Sequence, residues 1–225
     1  MMKMFLVLLA ALVTVTLSVD AQGLLLGGRL GAGFGMHKNG EAMDNMVDSI
    51  ESYYPGLSVD EKSGVAFAIS GYGAYYFTAN LGVQAELNFM INQSKEWSGS
   101  YSGVSGKLKG TYSSLDIPIL LKYDLMNNPV ILGLLAGPYL SFTLGDVELE
   151  GSGYMADDGA YEADGILAGL TLGLYGGLAL GPGRLIGDAR FLMDFSPLTI
   201  EESGYTDEVI QRFGINVTVG YELSF

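Results

Sequence analysis

Cysteine is absent from this chain of 225 residues, and histidine occurs once, at His37. Without cysteine no disulfide framework holds the chain together, so burial and backbone pairing must suffice. Long apolar runs are missing apart from one at the start, and no segment has the period and length of a substantial core helix. Charge is scarce at 16% and leans acidic, with 11 Lys and Arg against 25 Asp and Glu, a formal net charge of −14. That balance disfavours nucleic-acid binding. No G-x-S-x-G elbow, metal-ligand cluster or phosphate loop occurs, and nothing calls for a cofactor. What is present is glycine, tyrosine and apolar side chain: 33 Gly, 14 Tyr and a mean hydropathy of +0.31, unusual for a water-soluble protein.

The apolar start places Lys3 ahead of a core from Met4 to Leu17, followed by Val19-Asp20-Ala21. This is the pattern of a secretory signal peptide over 1–21, cleaved after Ala21, with one domain over 22–225. The core is short for a spanning anchor, the competing reading.

Beyond it, eight segments have the pattern of strands, at 24–35, 64–77, 80–92, 111–123, 129–144, 165–180, 184–195 and 209–225. All are long for globular strands and long enough for the roughly 9 to 11 residues of a membrane-crossing strand. Short links at 77–80, 124–129 and 180–184 alternate with long ones at 36–63, 93–110, 145–164 and 196–208. An antiparallel up-and-down barrel in an outer membrane has that rhythm, with short periplasmic turns and longer external loops. The fold expected is therefore all-β, an eight-stranded antiparallel up-and-down transmembrane β-barrel with both ends of the domain on the periplasmic side.

Parity assigns the faces. One face carries Arg29, Lys122, Arg184, Arg190 and Arg212 against Glu86, Asp116, Asp188, Asp194 and Glu222, while the apolar face carries no charge in any segment. An uncharged face suits lipid, since a charge at mid-bilayer costs about 2 to 4 kcal/mol in a barrel. A small, glycine-rich face with balanced charges suits a narrow lumen filled by side chains, and excludes a wide diffusion pore. In "LGVQAELNFMIN", Leu81, Val83, Ala85, Leu87, Phe89 and Ile91 are expected to face acyl chains, and Gln84, Glu86, Asn88 and Asn92 the lumen. Arg29 and Lys122 are the candidate partners of Glu86. Outward aromatics crowd the strand ends, among them Phe34, Phe67, Tyr75, Phe77, Tyr123, Phe195, Phe213 and Phe225, as interfacial girdles do. Pro118 and Pro138 cannot donate to a ladder, so a bulge or local break is expected where the fourth and fifth strands adjoin.

Within "YSSLDIPILLKYDL", Leu115, Ile117, Pro118, Leu120, Leu121, Lys122 and Tyr123 follow an aromatic, and "ILAGLTLGLYGGLAL" adds a glycine-rich strand. In these features the chain resembles the PorT-like outer-membrane β-barrel family of Gram-negative bacteria. The resemblance implies an outer-membrane location and an eight-stranded barrel; the secretion-system role of the founding member does not carry across on any residue. Tyr221, Leu223 and Phe225 share the outward parity and resemble the C-terminal signal read by the barrel-assembly machinery.

Of the 25 acidic residues, 17 fall in the first, third and fourth long links, among them Asp146, Glu148, Glu150, Asp157, Asp158, Glu162 and Asp164 in the third. They are read as solvated external loops, with recruitment of a divalent cation or an extracellular ligand as the functional alternative. For catalysis, His37 with Asp44 or Asp48 and a serine such as Ser70 or Ser141 are the available groups, and no spacing selects among them. The reading is thus an outer-membrane barrel embedded in lipid, with a structural, adhesion or binding role through acidic external loops. A lipid-modifying enzyme or protease is the runner-up, and a narrow channel or secretion-system accessory barrel follows.

Overall fold

The structure, a computed structural model, describes residues 23–39, 41–53, 58–101, 104–127, 129–153, 159–161, 163–164, 166–195, 198–202 and 205–225. Residues 1–21, expected from sequence to be a signal peptide, lie outside them, as do Asp157, Asp158 and Glu162. The elements are β1 (Leu24–Asn39), α1 (Glu41–Tyr53), β2 (Ser58–Ser63), β3 (Val65–Tyr76), β4 (Leu81–Tyr101), β5 (Val104–Asn127), β6 (Val130–Ser152), β7 (Gly159–Tyr161), β8 (Ala163–Asp164), β9 (Ile166–Leu180), β10 (Gly183–Asp194), β11 (Leu198–Glu202) and β12 (Tyr205–Ser224).

Period-two alternation makes each long strand two-faced, and a sheet with one uncharged face and one charged face hides the second by curling onto itself. Eight strands do so in the order β1-β3-β4-β5-β6-β9-β10-β12, each antiparallel to its neighbours. The ring closes through β1 and β12, in register from Leu25↔Ser224 to Asn39↔Ile210. Closure gives every ring strand a neighbour on both sides, which lipid demands because it offers no hydrogen bonds to an open edge. The apolar parity points outward, with Leu30, Phe67, Ile119, Leu174 and Val219 exposed on the wall.

Outward aromatics form two belts. Phe77, Tyr123 and Phe225 lie at the end with the short turns, and Phe34, Phe67, Phe195 and Phe213 toward the other. Phe213 and Phe191 meet edge to face, centroids 4.6 Å apart.

Three expectations need correction. The long links 93–110 and 145–164 are in large part strand: β4 and β5 stay paired to Tyr101↔Val104, and β6 runs to Ser152. Their polar residues hide the strand pattern, because above the membrane a ladder is held by its backbone hydrogen bonds and needs no apolar face. At about 3.3 Å per residue and a tilt near 45°, the 24 residues of β5 cover ~55 Å along the axis, roughly twice the apolar band of such barrels. The strands thus project well beyond the membrane, joined there by β2, β7, β8 and β11, while α1 occupies the first long link. The third correction is Asn92, which is exposed rather than lumenal. The β4–β5 register shifts between Met90 and Gln93, and Asn92 takes φ 59°, a left-handed conformation that asparagine tolerates better than most residues. The extra residue reverses the parity, so that Gln93, Lys95 and Trp97 point inward where even-numbered residues did before.

The prolines break the ladder and leave its register alone. Pairing of β5 with β6 lapses between Pro118↔Tyr139 and Leu121↔Ala136, and that of β4 with β5 between Ala85↔Ile119 and Asn88↔Asp116.

Glycine has a specific task in the lumen. Gly27 lies opposite Tyr72, Gly133 opposite Tyr175 and Gly169 opposite Tyr139. At each of these glycines an added Cβ would collide with the tyrosine ring, which lies across the neighbouring backbone. Small residues on one strand thereby let bulky ones on the next turn flat and reach the axis.

Candidate functional site: a closed lumen beneath an outer projection

The inward parity delivers eleven fully buried charged side chains, among the described residues, into one narrow interior: Arg29, Glu86, Lys95, Asp116, Lys122, Asp124, Asp188, Arg190, Asp194, Arg212 and Glu222. They fall into tiers. In the middle tier Arg29 donates from Nη2 to Glu86 Oε1 at 2.6 Å and also bonds Asp188, while Arg190 donates from Nη1 to Glu86 Oε2 at 2.7 Å and pairs with Asp188. Two guanidinium groups and two carboxylates thus close a four-membered cycle of zero net charge. Thr218 Oγ1 and Gln84 Nε2 donate into it as well, and the Arg29 guanidinium lies 4.2 Å from the Tyr72 ring centroid.

Toward the turns, Lys122 Nζ lies 3.4 Å and Arg184 Nη1 3.5 Å from Glu222, which also accepts from Tyr72 at 2.9 Å. Asp124 accepts from the hydroxyls of Tyr76, at 2.6 Å, and Tyr175. Toward the projection, Arg212 grips Asp116 with two bonds of 2.9 and 3.3 Å and reaches Asp194 at 3.3 Å. Ser114 and Ser141 donate to Asp116, and Tyr139 donates to Asp194. Above this tier Tyr112, Val147 and Leu167 form an apolar cluster, and Lys95 pairs with Glu61 at 2.8 Å.

Strand order shows what these tiers do to the lumen. In the ring, β4 stands opposite β10, β5 opposite β12, and β3 opposite β9. Glu86–Arg190 joins the first pair, Asp116–Arg212 and Lys122–Glu222 the second, and the Tyr76 and Tyr175 hydroxyls, 3.5 Å apart, the third. At each level side chains meet across the full diameter. At the turn end the lumen holds a cavity of about 350 Å³ lined by Tyr76, Asp124 and Arg184 among others.

Nine of the ten charges assigned to the lumen from sequence lie buried there, and Arg184, with 26% of its side chain exposed, sits at the mouth. Glu86 meets Arg29, one of its two candidate partners; Lys122 goes to Glu222 instead, and Arg190 is the partner not foreseen. Asp124 and Lys95 escaped the sequence reading. Asp124 shares the parity of Lys122 and was legible as an extension of that strand, whereas the inward turn of Lys95 follows from the bulge. On the projection, Asp146, Glu148 and Glu150 are exposed, and Asp164 belongs to β8. Among the described residues no three His, Asp or Glu side chains are placed to hold a metal ion. The groups considered for catalysis are dispersed: His37 pairs through its backbone with Arg212, Ser70 lies opposite Arg29 well down the barrel, Ser141 is bonded to Asp116, and Asp48 is exposed on α1. Tyr221 donates to the Leu180 carbonyl at 2.6 Å, Leu223 faces outward, and Phe225 donates its N–H to Leu24 at 2.9 Å.

A closed ring of eight antiparallel strands with an uncharged apolar exterior and an ion-paired interior defines an integral β-barrel of the outer membrane. The chain belongs to the family of the outer membrane protein beta-barrel domain, whose model matches residues 20–200. Similar solved structures include OprG from Pseudomonas aeruginosa, at 12% identity and a TM-score of 0.58, covering 91% of this chain and 96% of that one. The outer membrane protease OmpT from Escherichia coli matches at 11% identity and a TM-score of 0.48, over 92% of this chain and 98% of its own. Ail, the attachment invasion locus protein of Yersinia pestis, matches at 13% and 0.41, over 91% and 100%. At these identities the likeness is one of fold. No curated protein matches the chain.

Proposed function

We propose that this barrel is closed to diffusion and works as a structural, adhesion or binding protein through its outer projection. The observation that supports it is the set of diametral contacts, at most 3.5 Å long, that cross the lumen at three levels. Above them the exposed Asp60, Asp146, Glu148 and Glu150 give the projection an acidic surface suited to a basic or cation-bridged ligand. The run from Tyr112 to Tyr123 supports a place in the PorT-like branch, and the pattern of 1–21 supports export by a signal peptide. The end of β12 supports recognition by the barrel-assembly machinery.

The test has two parts. In planar lipid bilayers the folded protein should give no sustained conductance steps; steps of porin size would end the closed-lumen reading. Cross-linking on intact cells should give partner adducts that vanish when residues 146–164 are replaced by a short turn. Equal adducts in both would mean that the projection is not the binding element.

A further inference from the structure

Of the 11 lysines and arginines, five described side chains are consumed inside the lumen, and Arg184 lies at its mouth. The three described basic side chains that reach the outer wall, Lys62, Lys107 and Lys109, all stand on one patch of β2 and β5. Register explains the patch. Lys62 pairs with Glu96 on β4, Glu96 with Lys109 on β5, and Lys109 with Glu150 on β6. Lys107 lies two residues along from Lys109 on the same face and meets Glu96 at 3.2 Å. Glu96 thus lies between Lys62 and Lys109 in register and is ion-paired with Lys107. Lys109 has only a loose contact of 3.9 Å with an exposed Glu150, and no carboxylate lies within ion-pair distance of Lys62 among the described residues. Lys62, Lys107 and Lys109 stand against Glu96, Asp60 and Glu150, so the patch is balanced on a molecule whose formal charge is −14.

Height on the wall matters as much as sign. Below Lys62 on the same edge come the exposed Val65 and Phe67, and below Lys109 come Thr111, Ser113 and then Leu115. With a rise of about 3.3 Å per residue and a tilt near 45°, Lys62 stands ~7 Å above Val65 and Lys109 ~14 Å above Leu115. The headgroup layer occupies roughly the first 5 to 8 Å outside the hydrocarbon, and lysine reaches toward it by snorkelling.

We propose that Lys62, Lys107 and Lys109 bind the phosphate groups of a phosphorylated outer-leaflet lipid whose acyl chains lie on Val65, Phe67, Ile91 and Leu115. The compact ammonium group suits a phosphate oxygen without demanding one geometry, and Glu96 engages Lys107 alone, leaving the ammonium groups of Lys62 and Lys109 available to an anion. This assignment does not depend on the projection having a protein partner.

The full folded chain in detergent micelles is titrated with diphosphorylated lipid A, and retained lipid is counted by native mass spectrometry. The triple variant Lys62→Gln, Lys107→Gln, Lys109→Gln should bind roughly 100-fold more weakly, at about a factor of five per surface lysine. The corresponding three Lys→Arg changes should preserve binding, and dephosphorylated lipid A should not distinguish the variants. Glu96→Gln, which releases Lys107, should tighten binding, so the proposal stays testable even where the triple variant folds poorly. Equal binding by the triple variant, indifference to the phosphates, or weaker binding after Glu96→Gln would overturn it. Competition by inorganic phosphate at matched concentration would overturn the lipid assignment in favour of a free anion.

Discussion

Glu86 shows how much one buried side chain carries in this interior. It accepts from Arg29 on β1 and Arg190 on β10, so its loss leaves two buried guanidinium groups facing a single Asp188. Removing one partner of a buried ion pair costs about 3 to 5 kcal/mol, more than the pair itself contributes relative to an apolar replacement. Glu86→Leu should therefore lower stability by that order, read as an earlier midpoint of urea unfolding in detergent. A variant as resistant as the parent would show that the cycle is dispensable. The polar and charged character of this residue was legible from parity alone. Its partner Arg190 was not, because two strands on opposite sides of a closed ring bear no relation in sequence.

At the scale of the element, the bulge at Asn92 decides what the upper half of β4 presents. Parity read from Leu81 onward is right through Ile91 and fails from Asn92, since one residue of slip exchanges the two faces. Trp97, the chain's single tryptophan, is 2% exposed and so reports on that exchange. Deleting Asn92 should remove the bulge and restore uninterrupted alternation with Gln93, Lys95 and Trp97 still inward, so that Trp97 fluorescence stays shielded from acrylamide. Exposure of Trp97 in that variant would mean that the register above the bulge is not set by this one extra residue. Asn92→Gly should be nearly neutral, whereas Asn92→Val should cost about 1 to 2 kcal/mol for a left-handed backbone. The bulge had little sequence signal, and neither did the strand running through "SKEWSGSY", where serine and glycine read as loop. The two prolines, by contrast, announced the gaps in the β5 ladder, because a missing donor is a local property.

For the whole molecule, the ring was legible from alternating link lengths and an uncharged face, properties the membrane imposes on every strand alike. The extent of the projection was not, because water imposes no such pattern. Phe225 ties the molecule's last residue to its first described strand through the bond to Leu24 and presents an exposed ring at the turn end. Deleting it should reduce the amount of folded protein recovered from outer membranes severalfold, measured as the heat-modifiable band. Wild-type recovery would argue against its part in assembly. The pairing of β1 with β12 has a further meaning in time. No intermediate with the last strand undocked can seal the lumen, so the interior charges stay hydrated until closure and lose their water together at that step. Opening must reverse the same event, drawing water back to a stack of ion pairs before any strand leaves. Endurance in such a molecule is a property of its rate of opening rather than of its stability alone.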